Sequence, residues 1–193
     1  MSVPKKNRGR PRSFDEGEVL DRAMQVFWRR GYAETSVADL VAATGLERAS
    51  LYAAFGDKQG LYLAVLTRYT ARMMGLFDAS LTAGDPAARL TEFYRAAIAV
   101  YSDDSVPRGC LLSNTAGVAA AELPAVRSFL EDALTEADTA LTAFLREHGF
   151  SQPETRAALA HAVMHSAALR LRAGTPREEV EAFTRHAVPF ILG

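Results

Sequence analysis

Residues 45–62 read GLERASLYAAFGDKQGLY. Gly45 ends the apolar face of the segment before it. The chain then re-enters a helix through ERASLYAAF, and Gly56-Asp57 breaks it before a long helical run from Lys58 to about Leu81. Upstream, ETSVADLVAATG at 34–45 offers Thr35 or Ser36 as a cap, with Asp39 three positions beyond Ser36 and Val37, Leu40 and Val41 on one face. That pattern predicts a helix of about two turns. Two short helices joined by a tight glycine-containing turn are the sequence form of a helix-turn-helix unit.

In such a unit the second short helix lies in the major groove with its early residues toward base edges, while flanking groups hold phosphates. Arg48, Ala49 and Ser50 are those early residues, together with Glu47. Arg48 can donate a bidentate pair to guanine or a single bond to phosphate, and small Ala49 and Ser50 let the backbone come close. Tyr52 brings a hydroxyl on a rigid ring. Leu51 and Phe55, four apart, share the opposite face and are expected to pack against Phe27 and Leu40. Asp57 caps the following helix, whose amides and positive dipole end suit a phosphate, and Lys58 adds charge. The competing readings make Tyr52 a half-buried core aromatic and Lys58 a solvated lysine.

Moving outward, Ser13-Phe14-Asp15-Glu16 opens a first amphipathic helix with the capping-box spacing, Asp15 being a competing cap. Leu20, Ala23, Met24, Phe27 and Trp28 follow at helical spacing until Gly31 stops the run. The net charge of −1 hides an asymmetry: residues 1–72 carry twelve Lys/Arg against eight Asp/Glu, residues 73–193 ten against fifteen. Most concentrated is the start, where Lys5, Lys6, Arg8, Arg10 and Arg12 stand without an acid beside Pro4, Gly9 and Pro11. A basic arm over 1–12 of this kind neutralises phosphates and can set arginines such as Arg10 and Arg12 in a minor groove. A solubilising tail would have the same composition.

Residues 9–72 resemble the N-terminal domain of TetR/AcrR-type transcriptional regulators. The resemblance rests on Gly31-Tyr32 followed by Thr35-Ser36, the Thr44-Gly45 turn, Ser50-Leu51-Tyr52 with Phe55 beyond, and Lys58 with Leu61. It implies an all-α homodimeric repressor in which a C-terminal domain binds a small molecule and controls the separation of two DNA-reading heads. It also implies that Thr35, Ser36, Arg48, Ser50, Tyr52 and Lys58 face palindromic double-stranded operator DNA. Three positions depart from the pattern: Glu47 stands where serine is frequent, Ala54 where histidine is, and Gly60 where an acid is. The first alters the cap of the reading helix, and its carboxylate meets phosphate unfavourably unless it accepts from a cytosine amino group.

The expected organisation is a basic arm at 1–12, a three-helix DNA-binding domain at 13–60 with a connecting helix at about 58–81, and a helical ligand-binding and dimerisation domain at 84–193. About nine helices are expected in all. GDP at 84–86 marks a break, and a helix runs through Leu90, Phe93, Tyr94, Ala97, Ile98 and Tyr101. SDDSVPRG at 102–109 is a loop. Further helices are read at CLLSNTAGVAAAE, at 123–148, at 153–173 and at 176–192, with proline near several starts and glycine past several ends. The last two present alanine-rich faces together with Val180, Phe183, Ala187, Val188, Phe190 and Ile191, and by the resemblance they form the dimer interface. Pro189 is expected to bend or end the last helix.

Cys110 is the chain's single cysteine, so no intramolecular disulfide and no multi-thiolate metal site can form. In PRGCLLSNTA it opens a helix beside Arg108, where dipole and charge favour a thiolate. A GC.L.N segment of this kind occurs in some regulators of the family that sense electrophiles or oxidants, which makes Cys110 a candidate sensor; the rival reading is a small packing residue. Tyr94, Tyr101, Asn114, Phe129 and Met164 are candidate pocket liners. His161 and His165 sit four apart, but Ala162 occupies the position of a zinc-protease general base and no third ligand is evident, so interface hydrogen bonding is the expected role. With no phosphate-binding glycine loop and no nucleophile elbow, neither enzyme activity nor a cofactor is expected. The composition, 49% hydrophobic and 23% charged, is that of a globular chain, and without a membrane span or an apolar leader the expected location is cytoplasmic. A helical protein-interaction module without specific DNA binding is the alternative.

Overall fold

The computed structural model describes residues 14–80, 84–103 and 109–193, so the basic arm with Arg10 and Arg12, as well as Ser13 and Arg108, lies outside the described residues. Among those described, nine α-helices and no strand are found. The first, α1 (Glu16–Glu34), is capped by Asp15, whose carboxylate accepts from the Glu18 amide at 3.1 Å. It buries Val19, Leu20, Ala23, Met24, Phe27 and Trp28 along one side. At Gly31 the backbone turns to φ 76°, ψ 174°, a region that only glycine visits without strain. The helix is interrupted there, as expected, although its last residues continue to Glu34. Gly31→Ala is expected to cost about 1–3 kcal/mol, read as a lower Tm with unchanged helix content; an unaltered Tm would show that the turn relaxes freely.

After that turn, α2 (Val37–Thr44) starts with the reciprocal capping box. Ser36 Oγ accepts from the Asp39 amide at 3.1 Å, and the Ser36 amide donates to Asp39 Oδ2 at 2.9 Å. Bonds from Ser36, assisted by Arg30 at 2.7 Å, hold the Asp39 carboxyl below its ordinary range. A left-handed Gly45 closes α2, and α3 (Arg48–Phe55) follows with Glu47 at its N-cap making no side-chain bond. Asp57 then caps α4 (Lys58–Ser80) by accepting from the Gly60 amide at 2.8 Å. At Gly60 a Cβ would fall 2.0 Å from the Phe55 carbonyl oxygen. The departure noted at this position therefore has a steric reason: α3 closes onto α4 too tightly for a side chain.

α4 links the two ends of the molecule, packing on α1 and α3 at one end and on α5 (Pro86–Tyr101), α6 (Leu111–Glu122) and α7 (Pro124–Glu147) at the other. α8 (Pro153–Arg172) and α9 (Arg177–Leu192) pack on each other, α8 also against α7 and both against α5. Pro189 neither ends nor breaks α9: it lies in the final turn, where the helix runs on to Leu192 and the Gly193 amide donates to the Pro189 carbonyl at 2.9 Å. α9 turns Val180, Val188 and Ile191 inward, whereas Phe190 is 81% exposed. On α8, Leu159 and Leu169 are also exposed. Among the described residues no helix is long and apolar enough to cross a membrane.

Candidate nucleic-acid interface and interior cavity

The first turn of α3 carries the exposed residues Glu47, Arg48, Ala49 and Ser50. Leu51 points the other way and is 2% exposed, with half-buried Phe55 packed on the same core as Phe27 and Leu40. Tyr52 is half-buried, and the Arg48 guanidinium lies 5.2 Å from its ring centroid. That stacking restrains Arg48 before any partner arrives. Lys58 Nζ sits 4.3 Å from the centre of the Tyr32 ring, and burial lowers its pKa while Glu34 opposes the shift. The Tyr32 phenol is raised, first by burial and then by Asp57 and Tyr52. Tyr32 thus joins α1, α3 and α4 at one face, and it tilts on Tyr62 at 5.0 Å and stacks on Phe27 at 6.2 Å. Sequence reasoning used Tyr32 only as a marker and missed it as a support for Lys58; its signal was an aromatic directly after Gly31.

Two expected contacts change character. Thr35 is 1% exposed, and its hydroxyl donates to the Gly31 carbonyl at 2.6 Å, so its side chain closes the turn rather than reaching outward. Ser36 is exposed, but its hydroxyl already serves the α2 cap and donates to Asp39 Oδ2 at 2.7 Å.

A cavity of about 120 Å³ lies between α4, α5, the start of α6, α7 and α8. Of the expected liners, Tyr101, Cys110 and Met164 reach it. Tyr94 does not: it is buried elsewhere, its hydroxyl donating to the Ala160 carbonyl at 2.9 Å, and burial raises its pKa. Nor does Phe129, which is a partly buried core residue of α7. Asn114 lines a separate polar cleft with Trp28 and Arg172. Met73, Met74 and Phe77 of α4, which the sequence did not single out, complete one wall.

Cys110 is the N-cap of α6, buried, and its Sγ accepts from the Tyr69 hydroxyl at 3.2 Å. Tyr101 joins the same cluster, and burial raises both phenols well above their ordinary range, so they stay protonated. Tyr69 in turn meets Trp28 edge-on at 5.4 Å. His161 and His165 are also on the lining: His161 Nδ1 meets Asp138 Oδ1, and the exposed His165 has its Nδ1 3.0 Å from the His161 carbonyl. Among the described residues no group of three or more His, Cys, Asp or Glu is placed to hold a metal.

Comparison with known proteins places this arrangement. Residues 19–65 match the family described as bacterial regulatory proteins, tetR family. The chain is 41% identical over 112 residues to the transcriptional repressor ComR of Escherichia coli K12, covering 57% of this chain and 53% of ComR. It is 32% identical over 115 residues to the repressor BdcR of the same organism, covering 58% of each. The aligned stretch thus spans about half the length of these curated relatives. Over nearly the whole chain it is similar to a cysteine mutant of the TetR-family regulator CifR, solved with 26-base-pair operator DNA. That match has a TM-score of 0.83 and 31% identity over 93% of this chain and 98% of CifR. On this likeness in sequence and in fold along its length, the chain belongs to the TetR family of bacterial regulatory proteins.

Proposed function

We propose that the protein is a dimeric, sequence-specific DNA-binding repressor that leaves a palindromic operator when a small molecule enters the cavity. The observation that carries this reading is the exposed first turn of α3, with Arg48 stacked on Tyr52 and Lys58 held over Tyr32 beside it. Arg48, Ala49 and Ser50 face base edges, Tyr52, Lys58 and Ser36 hold phosphates, and Arg10 and Arg12 extend into the minor groove. In this reading residues 13–60 are the DNA-binding domain, about 58–81 the connecting helix, and 84–193 the ligand-binding and dimerisation domain. The repressor names of ComR and BdcR and the operator bound by CifR support it.

The exposed apolar residues of α8 and α9 supply the dimer surface. The inducer acts through α4, which lines the cavity with Met73, Met74 and Phe77 and packs against α3. An electrophilic or oxidising inducer would meet the Cys110 thiol at the cavity wall; if Cys110→Ser leaves every inducer response unchanged, Cys110 is a packing residue.

Selection of bound duplexes from a random DNA pool at two salt concentrations tests the reading. The expected product is a palindrome with half-sites about one helical turn apart, and recovery of no motif would favour a protein-interaction module. With the selected duplex, Lys58→Ala and Tyr52→Phe are expected to weaken binding similarly across sequences, Lys58→Ala also lowering the salt slope by about one. Arg48→Ala is expected to cost about 1–3 kcal/mol and relax preference at one position of each half-site. An unchanged preference would demote Arg48 to a phosphate contact.

A further inference from the structure

We infer that the cavity between α4, α5, α7 and α8 takes a compact, uncharged organic molecule of single-ring size carrying one oxygen acceptor. This rests on the reading of that cavity as the effector site and names the class of ligand it accepts. Size is the first argument. The volume of about 120 Å³, in a cavity that opens to solvent beside Leu134 and His165, is close to the roughly 150 Å³ of an apolar protein cavity that binds benzene. An occupant of about six to eight non-hydrogen atoms follows, with the flexible thioethers of Met73, Met74 and Met164 giving room for small differences in shape.

Chemistry is the second argument. The walls are largely apolar; the polar groups on them are Tyr69, Tyr101 and Cys110, which are hydrogen-bonded together with both phenols held protonated, and His161 and His165. Neutral hydroxyl groups can donate to a carbonyl, ether or hydroxyl oxygen. They cannot offset the cost of stripping water from a carboxylate or a phosphate. The described lining includes no lysine or arginine; of its two histidines, His161 is directed to Asp138 and His165 is exposed. The lining therefore offers an organic anion no lysine or arginine partner, and its volume matches a single ring better than a long chain.

The test uses the full-length protein without DNA and measures binding calorimetrically for cyclohexanone, benzene, cyclohexanecarboxylate and dodecan-2-one. Cyclohexanone is expected to bind at least about tenfold more tightly than the carboxylate. Tyr101→Phe is expected to weaken cyclohexanone about fivefold while leaving benzene unchanged. Ala137→Phe, which fills the cavity, is expected to abolish binding of both, and Ala140→Leu serves if that variant does not fold. Equal or tighter binding of the carboxylate or the twelve-carbon ketone overturns the inference, as does the absence of binding by both cyclic probes. Operator release is then followed by fluorescence anisotropy. Cyclohexanone that binds without releasing DNA would leave the ligand class standing and sink the inducer reading; release by the carboxylate alone would do the reverse.

Discussion

The Phe190→Asp protein is expected to be monomeric and to bind its operator at least about 100-fold more weakly than the parent. Phe190 is 81% exposed in the last turn of α9, and Leu169 and Leu159 on α8 are 67% and 44% exposed. In the proposed dimer these exposed apolar side chains of α8 and α9 belong to the association surface. In a two-fold dimer each copy of the residue is buried at once, so one substitution places two carboxylates in the interface. Desolvating each without a partner costs several kcal/mol. A monomer would keep one reading head, losing the gain that comes from tethering two heads to two half-sites. Light scattering reports the mass and an operator titration the affinity. A folded protein that remains dimeric would remove α8 and α9 as the interface.

Phe27→Ala is expected to destabilise the DNA-reading end by about 3–5 kcal/mol and to abolish operator binding at growth temperature. The Phe27 ring is fully buried, 4.8 Å from Tyr62 and 6.2 Å from Tyr32, which itself lies beneath Lys58. Its loss leaves a void and removes the floor of the stack that positions the ammonium. Phe27→Leu, which refills most of the volume, is expected to recover much of the stability but not the ring contacts. Thermal melts and operator titrations of the pair separate the two effects. Wild-type affinity in a destabilised Phe27→Leu protein would show that the ring stack does not position Lys58.

The helix-turn-helix end was legible because its signals are local. The capping box between Ser36 and Asp39, the Gly45 cap and the Asp57 cap each operate within a few residues, and all three form as read. Where two local options competed, the structure chose: Asp15 caps α1, and Ser36 caps α2 while Thr35 turns inward. The cavity was harder because its walls come from helices distant in sequence. Tyr94 and Tyr101 are seven residues apart on α5 and share nearly one face, so periodicity cannot tell which one reaches the void and which one bonds to α8. Met73, Met74 and Phe77 read as ordinary core of a long helix, and only the placement of α7 and α8 leaves space beside them. His161 and His165 were likewise legible as a pair, but their direction depends on how α8 is rotated.

Trp28 is the chain's only tryptophan. Its indole meets Tyr69 edge-on, and the Tyr69 hydroxyl reaches Cys110 on the wall of the cavity. The protein therefore carries its own optical probe, one residue removed from the void and rooted in the helix that supports the DNA-reading end. A molecule that settles against Tyr69 alters the surroundings of the one indole, so with selective indole excitation a shift in fluorescence reports occupancy without a label and without DNA in the cuvette.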